Sequence, residues 1–312
     1  MSSLVTVIVV TYNPDWTKFR NTLRSIICQK NVDFDIVISD DGSKVDHFDK
    51  VEQFFQENNF QAYKLVKNTE NQGTVKNSIV ALQNTDSKYI KGISPGDYLY
   101  DENTLFNIVD FAEKNPADAY FGNAVFYSID DNNEIKIYED RRYPKDLSPW
   151  IKRDYQRIRR NYLYRMDYIL GASVFGEREY MYNCLSLLQN VVKYTEDMFL
   201  MYGITNKDNI LYMNRTLIFY EYGDGMSTNA NTRPAINADI RNFKEWLYQN
   251  RKISLLTLWL GKTKSQFVRS ILRLFLDPVS FLKKFKKSSI QNANYSQEQR
   301  QKDINTLKKL IK

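Results

Sequence analysis

Short apolar runs alternate with helical stripes along the first third of the chain. Residues 5–10, 34–39, 64–67 and 89–93 are rich in β-branched and other apolar side chains, as expected of strands buried in a parallel sheet. Between them, residues 15–29, 48–58 and 75–83 carry apolar positions at helical spacing. This alternation predicts a doubly wound α/β domain with a mostly parallel sheet.

The pattern after residue 100 is less regular. It predicts a helix over 102–115, strands over 119–129 and 134–138, a basic and aromatic stretch over 141–168, and a strand followed by a helix over 169–189. We expect an α/β domain over residues 1–230 and a helical, basic, amphipathic extension over residues 231–312.

Polar loops follow three of the predicted strands. They are Thr11 to Asn13, Asp40 to Gly42, and Ser94 to Asp97. In open α/β sheets ligands bind beyond the carboxyl ends of the strands, so these loops predict a single binding edge.

Composition narrows the classes of protein and of site. Apolar residues make up 43% and charged residues 26% of the chain, which excludes wholesale disorder and a polytopic membrane protein. With one histidine, His47, a His-rich zinc site is excluded. Cys28 and Cys184 are far apart, so we expect free thiols in a reducing compartment. The N-terminus lacks the features of a secretion signal. Chemistry is therefore expected among carboxylates.

The net charge of +7 belongs to one short segment near the C-terminus. Residues 262–287 contain eight basic side chains and one acidic residue, Asp277, and the rest of the chain is neutral. On a helical wheel the apolar side chains of this segment fall opposite the basic ones, with Asp277-Pro278 predicting a break between two helices. Two interpretations remain open: docking on an anionic membrane, or a helix pair packed on the domain with a solvated basic face. The docking candidates are Arg269, Arg273, Lys283, Lys284 and Lys287.

The loops contain no glycine-rich phosphate motif of the GxGxxG or GxxxxGK[ST] type. A diphosphate can instead be bound through a divalent cation, which needs a carboxylate at the mouth of the sheet. Asp97 follows a buried strand and a Pro-Gly turn and is suitably placed.

Five short motifs resemble those of family-two inverting glycosyltransferases with a GT-A fold. They are VIVVTYNP at residues 7–14, VISDDGS at 37–43, NQGTVKN at 71–77, YIKGISPGD at 89–97 and TED at 195–197. Each is weak by itself, but the five occur in the family's order and approximate spacing. The resemblance covers about the first 225 residues and has the character of bacterial polysaccharide or capsule enzymes.

The resemblance implies roles for individual residues. A donor nucleotide sugar, with UDP as the expected nucleotide, would lie against the polar loops, and Asp40 or Asp41 would accept a hydrogen bond from the base. Asp97 matches the last carboxylate of a DxD-like motif that binds Mn²⁺ or Mg²⁺, and Asp197 matches the catalytic base. The donor-binding residues implied are Thr11, Tyr12, Asn13, Asp40, Asp41, Asn71, Gly73, Lys76, Asn77, Ser94 and Gly96.

The chain also departs from the family pattern. Ser94 and Gly96 stand where relatives have acidic residues, so one side-chain metal ligand remains. Where relatives carry a histidine near residues 226–227, Asp224 is the substitute we consider. The QxxRW signature of processive synthases is missing, which favours addition of a single sugar. On the acceptor side the candidates are Glu196, Gly171, Arg142 and Trp150.

Three functions follow as hypotheses. The first is an enzyme, peripheral to the inner face of the cell membrane, that transfers one sugar from a nucleotide diphosphate to a hydroxyl of a glycan acceptor in surface polysaccharide synthesis. We expect this acceptor to be lipid-linked. The alternative is a catalytically silent module that binds a nucleotide sugar or glycan and is recruited to the membrane. A third, RNA binding through the basic tail, has no recognisable motif, so nucleic acid is not expected as a partner.

Overall fold

The computed structural model describes residues 3–130, 132, 134–223, 232–263, 265–278 and 295–311. Nine strands form one mixed sheet in the order β3-β2-β1-β4-β8-β6-β9-β5, with β7 paired to β6. The strands are β1 (Val5–Thr11), β2 (Phe34–Asp40), β3 (Tyr63–Lys67), β4 (Tyr89–Ile93), β5 (Tyr98–Leu99), β6 (Ala119–Ile129), β7 (Ile135–Ile137), β8 (Val174–Glu177) and β9 (Ile210–Glu221).

Twelve α-helices lie in the described part of the chain. They are α1 (Trp16–Ile27), α2 (Phe48–Glu57), α3 (Thr74–Leu82), α4 (Thr104–Lys114), α5 (Ser148–Ile151), α6 (Tyr155–Arg160), α7 (Arg178–Leu188), α8 (Met198–Asn206), α9 (Arg233–Gln249), α10 (Leu255–Lys262), α11 (Gln266–Leu276) and α12 (Gln297–Leu310). A π-helical turn (Asn161–Arg165) follows α6, and a 3₁₀ turn (Gly171–Ser173) precedes β8.

The four strands from β3 to β4 are parallel, as the sequence predicts. β8 then enters antiparallel to both β4 and β6, and β6 runs parallel to β9. Alternate residues of β1 point to opposite faces: Val5, Val7 and Val9 join one core, and Ile8 joins the other. Helices α1, α2 and α4 cover the first face, while α3, α7 and α8 cover the second. The prediction of a doubly wound α/β fold is confirmed.

The C-terminal helices are packed against the α/β body. Phe243 and Leu247 of α9 are fully buried in the same core as α3 and α8. Leu307 of α12 is buried with Tyr127 and Ile137 on the far side of the sheet. The domain boundary predicted at residue 230 stays a prediction. The hydrophobic cores contain side chains from both sides of it.

Candidate functional site

The carboxyl ends of the parallel strands meet at one edge of the sheet. Thr11 at the end of β1 is in register with Asp40 at the end of β2, and Ile93 at the end of β4 is in register with Val9. The loops after β1, β2 and β4 are thereby brought together, as expected of a ligand edge in this class of sheet. A cavity of about 530 Å³ lies by Phe55 and Tyr63 at the opposite edge.

The two adjacent aspartates after β2 organise the loops and do not face solvent. Asp40 is completely buried and accepts hydrogen bonds from the Thr11 hydroxyl at 2.9 Å and the Ser43 amide at 2.7 Å. Asp41 is 3% exposed and accepts from the amides of Gln72 at 2.9 Å and Gly73 at 2.8 Å. Protein donors therefore hold both carboxylates in place, and the expected contact of one of them with a nucleotide base stays a prediction.

The segment predicted to flank a diphosphate leads into α3. Gly73 precedes the helix with φ +93°, and a Cβ there would lie 2.6 Å from the carbonyl oxygen of Lys193, so the position requires glycine. Asn77 is buried, and its amide nitrogen donates to the Ser39 carbonyl at 2.9 Å, which fixes α3 to β2. Asn71 Oδ1 is buried with no hydrogen-bond partner in the described part of the chain.

Other predicted donor residues remain accessible. The Tyr12 side chain is 54% exposed beside the end of β1, available for stacking. Asn13 accepts from the Lys44 amide at 3.1 Å and so joins the first two loops. Lys76 lines a cleft of about 440 Å³ together with Asn71 and residues 189–193.

Asp97 is held in a tight turn after β4. Gly96 has φ +99°, and a Cβ there would lie 2.6 Å from Glu221 Oε2. The Asp97 amide donates to the Ser94 carbonyl at 3.0 Å, and Asp97 Oδ1 accepts from the Glu221 amide at 3.2 Å. Burial raises the pKa of Asp97 to about 7. The ionised form of the enclosed Asp97 carboxyl is therefore destabilised unless a cation lies beside it.

Lys91, in the middle of β4, is a fully buried cation that sequence reasoning did not single out. Its ammonium group donates to the carbonyl oxygens of Gly92 at 2.5 Å and Ala172 at 2.7 Å. Burial lowers its pKa to about 7, and the charge of Asp97 acts in the opposite direction. The available signal was a lysine inside an otherwise apolar buried strand.

Asp197 contacts the 3₁₀ turn Gly171–Ser173, whose Ala172 carbonyl binds Lys91. A Cβ added at Gly171 would lie 3.1 Å from Asp197 Cβ, so the 3₁₀ turn and the aspartate are in direct contact. Asp197 occupies the N-cap position of α8, yet its side chain makes no capping hydrogen bond. A purely capping role is thus not supported, and the carboxylate is available for chemistry.

The surroundings of Asp197 are apolar and aromatic. Desolvation raises the pKa of Asp197, and desolvation together with the charge of Asp197 raises the pKa of Glu196. Burial, followed in importance by the charge of Asp197, raises the pKa of Tyr162 and of Tyr168. The Tyr168 hydroxyl is buried without a hydrogen-bond partner in the described residues. Asp197 therefore has the raised basicity expected of a general base.

One chain of contacts joins the two aspartates. Asp97 and Lys91 interact electrostatically, Lys91 binds the Ala172 carbonyl, and the neighbouring Gly171 touches Asp197. Asp97 and Asp197, which are 100 residues apart in sequence, are thus brought to the same region at the end of β4.

Trp150 and Arg142, two of the acceptor-side candidates, are buried and partly buried, respectively. Trp150 is 7% exposed and packs edge-on against Phe121, with ring centroids 4.8 Å apart. The indole is part of the hydrophobic core, which does not favour the predicted acceptor role. Arg142 is partly buried, and its guanidinium donates to the Lys145 carbonyl at 3.4 Å.

The residues present fit a divalent cation that is bound mainly through its substrate. No group of three or more His, Cys, Asp or Glu side chains suited to a metal occurs among the described residues. Asp97 does offer a carboxylate whose second oxygen has no hydrogen-bond partner in the described part of the chain. Mg²⁺ and similar hard cations are often held by one or two carboxylates plus substrate phosphates, so Asp97 fits as the single protein carboxylate. Asp224 lies outside the described residues.

The amphipathic helix α11 turns its apolar face outward and two of its basic side chains toward the protein. Phe267 and Phe275 are each 74% exposed, whereas Arg273 donates to the Tyr164 carbonyl at 2.9 Å and Arg269 to the Thr263 carbonyl at 2.8 Å. The membrane contacts of Arg269 and Arg273 stay a prediction: each Nε is bound to a backbone carbonyl, and the apolar face of the helix points outward. Lys283, Lys284 and Lys287 lie outside the described residues.

No described helix is long and apolar enough to cross a bilayer. The second helix predicted to begin after Asp277 lies almost wholly outside the described residues, so the N-cap role of Asp277 stays a prediction. Asp277 ends α11, is 3% exposed, and lies 3.6 Å from the Arg157 guanidinium.

Comparison with known proteins identifies the family. The glycosyl transferase family 2 model matches residues 6–185, more than half of the chain. The structure of S. aureus TarS residues 1–349 in complex with UDP-GlcNAc has a TM-score of 0.51 and 15% identity, covering 98% of this chain and 80% of that chain. The same TarS segment without ligand has a TM-score of 0.49 and 16% identity, with 98% and 79% covered. A search of curated proteins found no significant match. The chain belongs to glycosyl transferase family 2 and is a glycosyltransferase.

Proposed function

We propose that this glycosyltransferase transfers a single sugar, with inversion, from a UDP-sugar to a hydroxyl group of a glycan acceptor. The observation that carries the proposal is that Lys91, whose charge acts on Asp97, binds the carbonyl of Ala172 in the Gly171–Ser173 turn, and that Gly171 of this turn contacts Asp197. The fold shared with TarS, which was solved with UDP-GlcNAc, supports UDP as the donor nucleotide.

Asp197 would act as the general base. Its carboxylate accepts the proton of the acceptor hydroxyl, whose oxygen then bonds to the anomeric carbon while the bond from that carbon to the diphosphate breaks. The electron pair leaves with the nucleoside diphosphate, and attack from the opposite side inverts the configuration. The absence of a capping hydrogen bond and the raised pKa of Asp197 support this role.

Asp97 would bind Mn²⁺ or Mg²⁺ together with the donor diphosphate. Such a cation neutralises the negative charge that develops on the leaving group. The N-terminus of α3, with the Gly73 backbone and Lys76, would lie beside the phosphates, because helix N-termini favour anions. Tyr12 would stack on the base.

The apolar face of α10 and α11 supports a membrane location and a lipid-linked acceptor. Its exposed members are Leu255, Leu256, Trp259, Phe267, Val268, Ile271, Leu274 and Phe275. Such a face enters the boundary between headgroups and acyl chains, and the basic residues after 278 in the sequence would contact anionic headgroups. We place the enzyme at the inner face of the cell membrane, in surface polysaccharide synthesis. Docking raises its effective concentration near a lipid-linked acceptor.

Thermal stabilisation by a panel of UDP-, GDP- and dTDP-sugars, each with and without Mn²⁺ or Mg²⁺, tests the donor assignment. A ligand at 100 times its Kd stabilises the native state by about 2.7 kcal/mol. We expect a UDP-sugar to raise the Tm in a metal-dependent way, and Asp97→Asn to abolish the metal dependence. Asp110→Asn, at a surface ion pair with Lys114, is the matched control. Equal stabilisation without metal, or by GDP- or dTDP-sugars alone, would contradict the proposal.

A further inference from the structure

A loop from the α/β body is held by a carboxylate of the C-terminal extension. Asp239 lies in α9, is 6% exposed, and accepts hydrogen bonds through Oδ2 from the amides of Lys193 at 3.0 Å, Tyr194 at 2.6 Å and Thr195 at 3.2 Å. The Thr195 hydroxyl also lies 3.3 Å from the same oxygen. One carboxylate oxygen thus gathers three successive backbone N–H groups.

This loop leads directly to the proposed base. Thr195 is followed by Glu196 and then by Asp197, and the Thr195 carbonyl accepts from the Met198 amide at 3.1 Å, in the first turn of α8. The three residues bound by Asp239 therefore set the entry of the chain into α8. Asp197 itself makes no capping hydrogen bond, so its position depends on the backbone on either side.

The same loop also contacts the proposed donor segment. The Lys193 carbonyl accepts from the Val75 amide at 3.1 Å, and Lys193 closes against Gly73 so tightly that no Cβ fits there. The loop is consequently tied to α3 on one side and to α9 on the other. Its two anchors are a single backbone hydrogen bond to α3 and the Asp239 carboxylate.

We propose that Asp239 is a positioning residue for the transfer reaction, holding Lys193 to Thr195 so that the base meets the acceptor at the bound donor. Asp239 does not touch the reacting atoms and acts through the loop. Hydrogen bonds to an ionised acceptor are about twice as strong as neutral ones, so one carboxylate can order three amides. The inference rests on the proposed role of Asp197 and adds a residue that the five motifs do not include.

Asp239→Ala tests the proposal, with Asp239→Asn as the conservative variant. A misplacement of about 1 Å of a catalytic group costs on the order of 100-fold in rate. We expect Asp239→Ala to lower kcat for UDP release from a UDP-sugar, with water or acceptor as the nucleophile, by roughly 10- to 100-fold. Asp239→Asn retains one carbonyl acceptor and should recover most of this loss. The Kd for UDP should stay within about threefold, since donor contacts lie mainly on other loops.

Asp303→Ala in α12 is the matched control. Asp303 is also buried in the C-terminal extension and accepts from Tyr100, Tyr295 and Gln299, but none of these partners belongs to the loop of Lys193 to Thr195. We expect Asp303→Ala to lower the Tm while leaving kcat within about twofold at a temperature where it is folded. If Asp239→Ala and Asp303→Ala reduce kcat equally, Asp239 has only a stabilising role and the proposal is overturned.

Hydrogen exchange provides a readout independent of turnover. We expect the amides of residues 193–195 to exchange faster in Asp239→Ala than in the wild type or in Asp303→Ala. Unchanged protection of these amides would overturn the inference even if kcat fell. A wild-type protein that binds no UDP-sugar and releases no UDP would instead overturn the proposed function, so the two failures are distinguishable.

Discussion

At the scale of single residues, three acidic side chains and one lysine of the candidate site have environments that shift their pKa values. Burial raises the pKa of Asp97, Glu196 and Asp197 and lowers that of Lys91. Perturbed groups of this kind cluster at functional sites. Asp97 and Asp197 follow from sequence motifs, whereas Lys91 and Asp239 do not, because their roles depend on contacts between distant segments. An acidic residue on the apolar stripe formed by Ile236, Ile240 and Phe243 was the sequence signal for Asp239.

The pH dependence of transfer reports on Asp197. The reaction needs the ionised base, and desolvation raises the pKa of Asp197, so activity should fall as the pH drops through a value well above the ~3.9 of an ordinary aspartate. Asp197→Asn should lose at least about 100-fold in kcat. Glu196→Gln should leave the acid limb in place, because Asp197 remains desolvated in that variant. A profile of kcat against pH for the three proteins checks this. An acid limb near pH 4 would contradict the assignment.

Lys91 makes folding stability depend on pH in a specific window. Its folded-state pKa is about 7, below the ordinary 10.5, so between these values the unfolded chain binds a proton that the folded chain has released. Stability contributed by this group therefore rises with pH across that window, by up to about 1.4 kcal/mol per unit. Urea unfolding of the wild type and Lys91→Met at pH 7 and pH 9 measures the effect. We expect the wild type to gain stability relative to the variant, and a pH-independent gap would contradict the burial of the ammonium group.

At the scale of elements, β1, β2 and β4 follow from apolar patterning because each is buried on both faces. The insertion of β8 between β4 and β6 does not follow, since strand direction and order depend on non-local pairing. The Tyr, Trp and Arg content of region 141–168 is compatible with an acceptor surface and with helix packing, and Arg142 and Trp150 are acceptor-side candidates. Its helices bury Trp150, Ile158 and Tyr162, so aromatic composition alone could not separate core from surface.

The start of α3 depends on a glycine that no other residue can replace. Gly73→Ala places a methyl group at φ +93° and 2.6 Å from the Lys193 carbonyl, so we expect a loss of about 1–3 kcal/mol of stability and a raised KM for the donor. Gly92→Ala in β4 is the control, because a Cβ there meets no atom within 4 Å. Thermal unfolding and donor titration of both variants give the comparison. Equal effects of the two substitutions would show that the turn tolerates a side chain.

At the scale of the whole molecule, the α/β body and the C-terminal helices share their cores. α9 is buried beside α3 and α8, and α12 packs on the far side of the sheet. The sequence correctly predicted helices in the C-terminal region. A helical wheel does not show which face of an amphipathic helix packs against the protein. The carbonyls of Tyr164 and Thr263 bind Arg273 and Arg269, and this leaves the apolar face outside.

Sedimentation with phospholipid vesicles tests that exposed face. Substituting Phe267 and Phe275 together by Ser should weaken binding at least tenfold, because each buried Phe contributes about 1.5–3 kcal/mol. Phe106→Ser, at an exposed Phe in α4, is the matched control and should bind as the wild type does. Vesicles with and without anionic lipid separate apolar insertion from charge attraction. Unchanged binding of the double variant would exclude α11 as the docking surface.

The three amides gathered by Asp239 also constrain how this enzyme can be recombined with its relatives. A chimera joined near residue 230 would carry the base on one parent and its anchor on the other. Joining the parents after α9, between residues 250 and 254, keeps anchor and base from the same parent. Exchange of acceptor-recognition or targeting helices by such fusions should therefore succeed at the later junction and give slow enzymes at the earlier one.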